Sequence, residues 1–237
     1  MALPIQSAPK YSVTIPSTEE TVNFRPFIVK EQKSLLLAQQ SEKQGVMIDT
    51  LKDVISACTF NKIDVSNLAL FDLEYLFTQI RAKSVGETVE LVIKCNTCTD
   101  EKARAKVSYD LTNIEVKKDE NHNKKIPLFD DVGVMMKYPN FDMIRGFENI
   151  QDGDVEELFG MVSKCIDYIY NTEEVFHTKD LSKEEVDEFL NNLTQDQFSK
   201  IQNFFETLPK IYTDLDYICP VCEVKQQTRV EGINSFF

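Results

Sequence analysis

Apolar and polar residues alternate along this chain with two different periods. Short runs rich in β-branched residues, or alternating apolar with polar, predict strands, whereas apolar residues three and four positions apart predict amphipathic helices. Strand-like runs occur on both sides of Pro16, next to two cysteine pairs, and at residues 126–129 and 132–138. Helical spacing occupies most of residues 26–86 and 154–209. This order predicts an α+β fold in which amphipathic helices pack with small antiparallel sheets.

The helical segments form two groups of three. In the second group, apolar positions from Val155 to Ile169 predict one continuous helix that begins at Asp154. Ser182 and Thr194 begin two further helices, because each is followed three residues later by Glu or Gln, as in a capping box. Two cysteines lie on apolar stripes of these helices and are predicted to be core residues rather than ligands, namely Cys58 and Cys165.

The other four cysteines form two Cys-x-x-Cys pairs, each between two strand-like runs. Cys95 and Cys98 make the first pair, and Cys219 and Cys222 make the second. Two residues between cysteines allow both thiolates to bind one ion, and two such pairs complete a tetrahedral site for Zn²⁺. Four thiolates leave no open coordination position, so the predicted zinc is structural. The sequence therefore predicts a split zinc ribbon formed by two distant pairs.

Two alternatives for the cysteine pairs stay open. A single Cys-x-x-Cys pair can be the redox site of a thiol oxidoreductase, although such a pair usually opens a helix in a βαβ setting, which neither pair has. Two disulfides would require an oxidising compartment, and the sequence shows no signal-peptide pattern. Zinc is therefore the favoured interpretation.

Residues 99–218 lie between the two pairs, which is a long separation for the halves of one zinc site. We therefore expect an insertion whose two ends the metal ties together. Within it, residues 117–125 are polar throughout and predict an exposed loop in which His122 is solvated. The predicted organisation comprises an N-terminal hairpin (1–25), a helical unit (26–86), the first half of the zinc ribbon (87–118), an insertion with short strands and a helical unit (119–209), and the second half of the ribbon (210–237).

Composition limits the possible functions. The net charge of −13 argues against a surface that follows nucleic-acid phosphates or adheres to anionic lipid. No Walker-type, dinucleotide-binding or hydrolase motif occurs, and only 2 histidines are available for acid–base catalysis. No apolar run approaches the roughly 20 residues that span a bilayer. We therefore expect a cytosolic protein that is not an enzyme.

A zinc-ribbon nucleic-acid-binding regulatory protein is the alternative function. It requires basic residues around the cysteine pairs. The first pair has four nearby, Lys94, Lys102, Arg104 and Lys106. Acidic residues around both pairs weaken this alternative, namely Asp100, Glu101, Asp214, Asp216 and Glu223.

Six short motifs carry a resemblance to a known family. They are Leu3-Pro-Ile5, Ile15-Pro-Ser-Thr18, Phe24-Arg-Pro-Phe-Ile-Val-Lys-Glu31, Phe71-Asp-Leu-Glu-Tyr-Leu-Phe77, Arg81-Ala-Lys-Ser-Val-Gly86 and Lys137-Tyr-Pro139. Together they resemble the baseplate hub proteins of T-even-type tailed bacteriophages, over most of the chain and most strongly over residues 1–100. The resemblance implies a non-enzymatic role in building the central hub of a contractile tail baseplate, as a subunit or as an assembly factor.

The resemblance also implies partners and a location. The partners are baseplate hub and tail proteins, with the tape measure protein as a further candidate, and they include neither nucleic acid nor membrane. The location is the cytoplasm of the infected bacterial host, with retention in the virion tail baseplate as a further possibility.

Four residues are candidates for partner binding, Arg25, Phe27, Phe236 and Phe237. Each has a purely structural alternative. Arg25 can be one half of a buried ion pair, and Phe27 can be a core residue. Phe236 and Phe237 can pack on the chain's own surface or fill a groove of a partner.

Overall fold

The computed structural model describes residues 8–41, 44–98, 100–145 and 155–232. The predicted helix start at Asp154, the motif at residues 3–5, and Phe236 and Phe237 lie outside the described residues. The helices are α1 (Val29–Gln39), α2 (Gln44–Cys58), α3 (Leu70–Val85), α4 (Phe141–Arg145), α5 (Val155–Cys165), α6 (Lys183–Asn191) and α7 (Gln195–Glu206). The strands are β1 (Tyr11–Thr14), β2 (Thr21–Phe24), β3 (Thr88–Lys94), β4 (Arg104–Asp110), β5 (Val116–Lys117), β6 (Lys125–Phe129), β7 (Val132–Met136), β8 (Ile166–Tyr170), β9 (Val175–His177), β10 (Lys210–Ile218) and β11 (Lys225–Glu231).

The chain divides into two compact units. One comprises Met1–Val65, Phe71–Lys117 and Lys210–Phe237, and the other comprises Ser66–Leu70 and Lys118–Pro209. All strand pairs in the described residues are antiparallel and form four small sheets, with strand orders β1-β2, β11-β10-β5, β3-β4 and β6-β7-β8-β9. Helices with small antiparallel sheets confirm the predicted α+β class, whereas the five-part division of the chain stays a prediction. No helix in the described ranges is both long and apolar enough to cross a membrane.

In the first unit, the hairpin of β1 and β2 is fixed to α3 by a buried carboxylate. The Ser17 backbone N–H donates to Asp72 Oδ1 at 3.0 Å, and the Ser17 hydroxyl donates to Asp72 Oδ2. Asp72 lies in the first turn of α3, where a negative charge is favourable to the helix dipole. Two of the motifs that carry the family resemblance therefore contact each other here, and their residues have a structural role.

Two longer hairpins of the first unit share one apolar core. β3 pairs with β4, and β10 pairs with β11, each in an uninterrupted antiparallel register. The inward side chains pack together with residues of α3; the buried members include Ala82, Leu91, Ile93, Ala105, Ile211, Leu215 and Tyr217. Burial of apolar surface is non-directional, so this core brings the hairpins together without setting the geometry at their tips. The two Cys-x-x-Cys loops lie at those tips.

In the second unit, the predicted long helix is wrong beyond Cys165. Residues 166–170 form β8, which pairs with β7 through Val134↔Ile169 and Met136↔Ile166. The segment Ile-Asp-Tyr-Ile-Tyr is β-branched and aromatic, which favours a strand. Its two isoleucines are three positions apart, so they also fit the helical period that the sequence analysis followed. Pairing with β7 decides between the two.

The predicted solvation of His122 is also wrong. Its residue is only 8% exposed, and its ring lies against Tyr138 and Phe204 at centroid distances of 5.6 and 5.1 Å. Its Nδ1 lies 3.0 Å from the Thr207 hydroxyl, whose own proton is donated to the Asn203 carbonyl at 2.7 Å. The neighbouring residues of this loop are polar and exposed, so no local pattern distinguished the one inward side chain.

These contacts define the protonation state of His122. Because the Thr207 hydroxyl proton is already donated, Nδ1 carries the hydrogen and Nε2 does not. Nε2 is buried with no hydrogen-bond partner among the described residues, so protonation there would bury an unsatisfied N–H. Burial lowers the pKa of His122; Lys118 and Lys124 lower it further, and Asp119 opposes them.

We expect His122 to make the folded protein less stable as the pH falls. Since its pKa is lower in the folded state, the unfolded chain binds the proton more tightly, and stability decreases from the ordinary pKa of 6.5 down to the folded pKa. Urea denaturation measures the free energy of unfolding at neutral and at mildly acidic pH. Between the two, this free energy should decrease less for His122→Asn than for the parent. His177→Asn, at an exposed strand position, is the control and should behave as the parent does. Equal pH dependence of the parent and His122→Asn would contradict this account.

Candidate metal centre

Each Cys-x-x-Cys loop closes one of the two long hairpins. The last strand pairs are Lys94↔Arg104 and Ile218↔Lys225. The ladder then continues one residue further, because Cys95 N–H donates to the Ala103 carbonyl at 2.8 Å and Cys219 N–H donates to the Val224 carbonyl at 3.1 Å. The first cysteine of each pair is therefore held in the sheet, and the second lies in the turn.

The structure brings all four predicted ligands together. Their Sγ atoms lie within 4.8 Å of one another, with Cys95–Cys222 at 4.0 Å and Cys98–Cys219 at 3.8 Å. A disulfide requires about 2.05 Å between sulfurs, so these distances are those of separate thiols. Four sulfurs each about 2.3 Å from one Zn²⁺ would be about 3.8 Å apart in a regular tetrahedron. The donor set and its spacing therefore fit a tetrahedral ion.

The turn around the second pair holds Cys219 through two backbone N–H groups, one of which donates to its sulfur. Val221 N–H donates to Cys219 Sγ at 3.4 Å, and Glu223 N–H donates to the Cys219 carbonyl at 3.0 Å. Glu223 has a φ of +57°, a left-handed conformation that costs a non-glycine residue roughly 1–2 kcal/mol. Cys95 and Cys219 are buried, while Cys98 and Cys222 are half-buried. The cluster is thus closed on the side of the strands and reachable from the side of the turns.

The hydrogen bonds around the cluster separate the four thiols by acidity. The Thr97 hydroxyl, helped by the backbone N–H groups of Thr97 and Cys98, lowers the pKa of Cys95 to about 5. The backbone N–H of Val224 lowers the pKa of Cys222. In contrast, hydrogen bonding with Cys222 and burial raise the pKa of Cys98 to about 12. Thiolates and protons therefore lie side by side, and a bound cation would replace the protons.

Gln226, which the sequence analysis missed, connects the two cysteine pairs. Its Nε2 donates to Cys95 Sγ at 3.2 Å and to the Thr97 hydroxyl at 2.8 Å, while its Oε1 accepts from the Tyr217 hydroxyl at 2.8 Å. Its Oε1 also accepts from the Asn96 N–H at 3.3 Å. Strand alternation in β11 places Gln226 on the same face as Val230, and that pattern was the available signal.

The two remaining cysteines are buried core residues, as predicted. Cys58 ends α2 and Cys165 ends α5. Burial raises the pKa of Cys58 to about 11 and that of Cys165 to about 12, which keeps both thiols protonated and unreactive. Neither belongs to the four-cysteine cluster.

The candidate partner-binding residues that the structure describes, Arg25 and Phe27, lie just before α1. Arg25 donates to Glu31 Oε1 at 2.9 Å and to the Pro26 carbonyl at 2.9 Å. Burial alone would raise the pKa of Glu31, but the hydrogen bonds from Arg25 and the Ile28 N–H bring it below its ordinary value. Phe27 is half-buried beside an apolar groove. Arg25 thus has an intramolecular ion pair, and its role toward partners stays a prediction.

Two hairpins that meet at a four-cysteine cluster define an α+β protein with a candidate structural metal centre. Sequence comparison then identifies the family. A sequence model of the family described as T4 bacteriophage base plate protein matches residues 8–237, and the chain belongs to that family. No curated protein and no solved structure matches the chain.

We expect Gln226→Leu to destabilise the first unit, because it removes the hydrogen bonds that connect the two pairs while keeping similar side-chain volume. Leaving partly buried partners unsatisfied should lower the free energy of unfolding by about 1–3 kcal/mol. The matched control is Gln227→Leu, which loses one exposed hydrogen bond to Asp216 and should change stability by no more than about 0.5 kcal/mol. Urea denaturation measures both. Equal effects of the two substitutions would show that Gln226 does not connect the pairs.

Proposed function

We propose that this protein is a non-enzymatic structural or assembly protein of the baseplate hub of a contractile phage tail, and that it acts by binding other tail proteins. Family membership carries the assignment to a phage baseplate. The motifs that resemble T-even-type hub proteins support the hub as the place within it, and two of them form the contact between Ser17 and Asp72.

A structural Zn²⁺ at Cys95, Cys98, Cys219 and Cys222 is the second part of the proposal. The single observation that supports it most strongly is the spacing of the four Sγ atoms, within 4.8 Å of one another and without disulfide contact. With both hairpins, the site forms a split zinc ribbon. Four thiolates leave the ion no open position, so it holds the hairpins together and takes no part in a reaction.

The charges around the hairpins support a protein partner over nucleic acid. Basic residues of β11 are paired with acids of β10, since Lys225 Nζ lies 3.0 Å from Asp216 and Arg229 Nε lies 2.9 Å from Asp214. A nucleic-acid surface needs cations directed to solvent and phosphate. The alternative of a zinc-ribbon nucleic-acid-binding regulator is therefore disfavoured by both charge and family.

The low pKa of Cys95 is the one observation that favours a thiol oxidoreductase. Reactive cysteines of that class have such pKa values at the start of a helix. Here both pairs lie in hairpin turns, and all four thiols form one cluster, which is the arrangement of a structural zinc site. A bound zinc would also occupy the thiolate that the redox reaction requires.

The proposed partners are baseplate hub and tail proteins, with the tape measure protein as a further candidate. Arg25, Phe27, Phe236 and Phe237 are the proposed partner-binding residues. Assembly would take place in the cytoplasm of the infected host, and retention of the protein in the finished virion tail baseplate is a further possibility.

A phage lacking this gene should produce tails without complete baseplates in electron micrographs, and a plasmid copy should restore them. Normal baseplates in the absence of the protein would contradict the proposal.

Protein purified without chelator should contain about one zinc per chain, because two Cys-x-x-Cys pairs hold one ion. Elemental analysis of Cys219→Ser should show loss of most of the zinc. Cys58→Ala and Cys165→Ala are controls that alter buried thiols outside the cluster, and they should retain it. A parent protein with no zinc and four free thiols would refute the metal site. Zinc loss in either control would show that the altered cysteine, Cys58 or Cys165, was wrongly assigned to the core instead of the metal site.

A further inference from the structure

An apolar groove of about 480 Å³ lies in the first unit between α1, α2 and α3. Its lining includes Phe27, Leu35, Leu36, Met47, Phe77 and Val85. Two of these side chains belong to residues that are largely exposed, Leu36 at 54% and Val85 at 60%. Exposed apolar residues that line one concave surface are typical of a surface that another segment covers.

The described part of the chain ends beside α3, one of the helices that form this groove. Gly232 follows β11 with a φ of +74°, and its N–H donates to the Ile211 carbonyl at 3.1 Å. A Cβ placed on Gly232 would lie 3.7 Å from Glu74 Oε1, so Gly232 lies beside α3. The chain therefore leaves its last strand next to one of the helices that form the groove.

The face of α3 beside Gly232 continues into the groove. Glu74, Arg81 and Val85 are seven and eleven residues apart, close to two and three helical turns, so they share one face. With a rise of about 1.5 Å per residue, Arg81 lies about 10 Å and Val85 about 16 Å along the helix from Glu74. Both residues line the groove. Five extended residues span at most about 16–18 Å, so a segment that follows Gly232 can reach them.

The residues that follow Gly232 have the chemistry that the groove requires. They are Ile233, Asn234, Ser235, Phe236 and Phe237, three large apolar side chains and two small polar ones, without charge. Aromatic side chains provide large apolar area with few rotatable bonds, and they are common anchors in grooves of this kind. Burying them against Leu36 and Val85 would remove apolar surface of both partners from water.

We propose that residues 233–237 of this chain dock in the groove between α1, α2 and α3, with Phe236 and Phe237 as the anchoring side chains. This contact is the alternative that the sequence analysis gave for Phe236 and Phe237, packing on the chain's own surface, and it would replace the partner-binding role proposed above for these two residues and for Phe27. This inference does not depend on the proposed baseplate function or on the metal.

The chain contains no tryptophan, which makes a direct test available. Phe237→Trp introduces a single tryptophan whose fluorescence, excited where tyrosine does not absorb, reports only on that position. Docking predicts blue-shifted emission that is shielded from a soluble quencher. Adding Leu36→Glu or Val85→Glu, at exposed positions of the groove, should shift the emission to that of a solvated tryptophan and restore quenching. Circular dichroism verifies that each variant is folded.

The matched control is Val175→Glu, at a 52% exposed apolar position of β9 in the second unit, and it should leave the emission of Phe237→Trp unchanged. Emission of a solvated tryptophan in Phe237→Trp alone would overturn the proposal. So would a blue shift that neither groove substitution alters. A blue shift that disappears on dilution would assign the groove to a second copy of the chain, and that result also overturns docking within one chain.

Discussion

Two pairs of cysteines with residues 99–218 between them bring their four sulfur atoms within 4.8 Å of one another, and the geometry of the two hairpin tips depends on that convergence. Thiols this close form hydrogen bonds with one another, and the bond with Cys222 contributes most to raising the pKa of Cys98 to about 12. In the account proposed here, Zn²⁺ replaces the thiol protons, and the free energy of metal binding becomes free energy of joining the two hairpins. A long segment can then be accommodated between the pairs, because the cost of closing a loop rises only slowly with its length.

Two different interactions hold the hairpins, and they act at different places. Along the strands, apolar residues such as Leu91, Leu215 and Tyr217 pack with α3 in a common core. At the tips, the buried apolar group among the described residues is Cys95, Cys219 and Ala103, with Cys98 and Cys222 packed against them. The tips have little apolar surface to bury, so their order depends on the cysteines and on Gln226. Metal loss should therefore open the turns before it separates the strands.

The sequence was sufficient to predict the structure at positions where local periodicity and residue spacing determine it. Hairpin strands beside Cys-x-x-Cys pairs, capping boxes at Ser182 and Thr194, and core positions for Cys58 and Cys165 all follow from local pattern. It was insufficient where a distant contact decides. Ile166 and Ile169 are three positions apart and fit the helical period, and only pairing with β7, through a register shift between Met135 and Met136, selects the strand. The burial of His122 depends on Tyr138, Phe204 and Thr207, which no pattern around residue 122 reveals.

Hydrogen exchange with and without a zinc chelator tests the central claim most directly, because it resolves local opening from global unfolding. The informative amides are those of Cys95 and Cys219, which donate to the Ala103 and Val224 carbonyls, with the amides of β10 around Leu215 as an internal reference. The account predicts that metal removal greatly accelerates exchange at Cys95 and Cys219 while the amides around Leu215 stay protected. Unchanged protection at both cysteines after complete removal of the metal would show that zinc does not hold the two hairpins together.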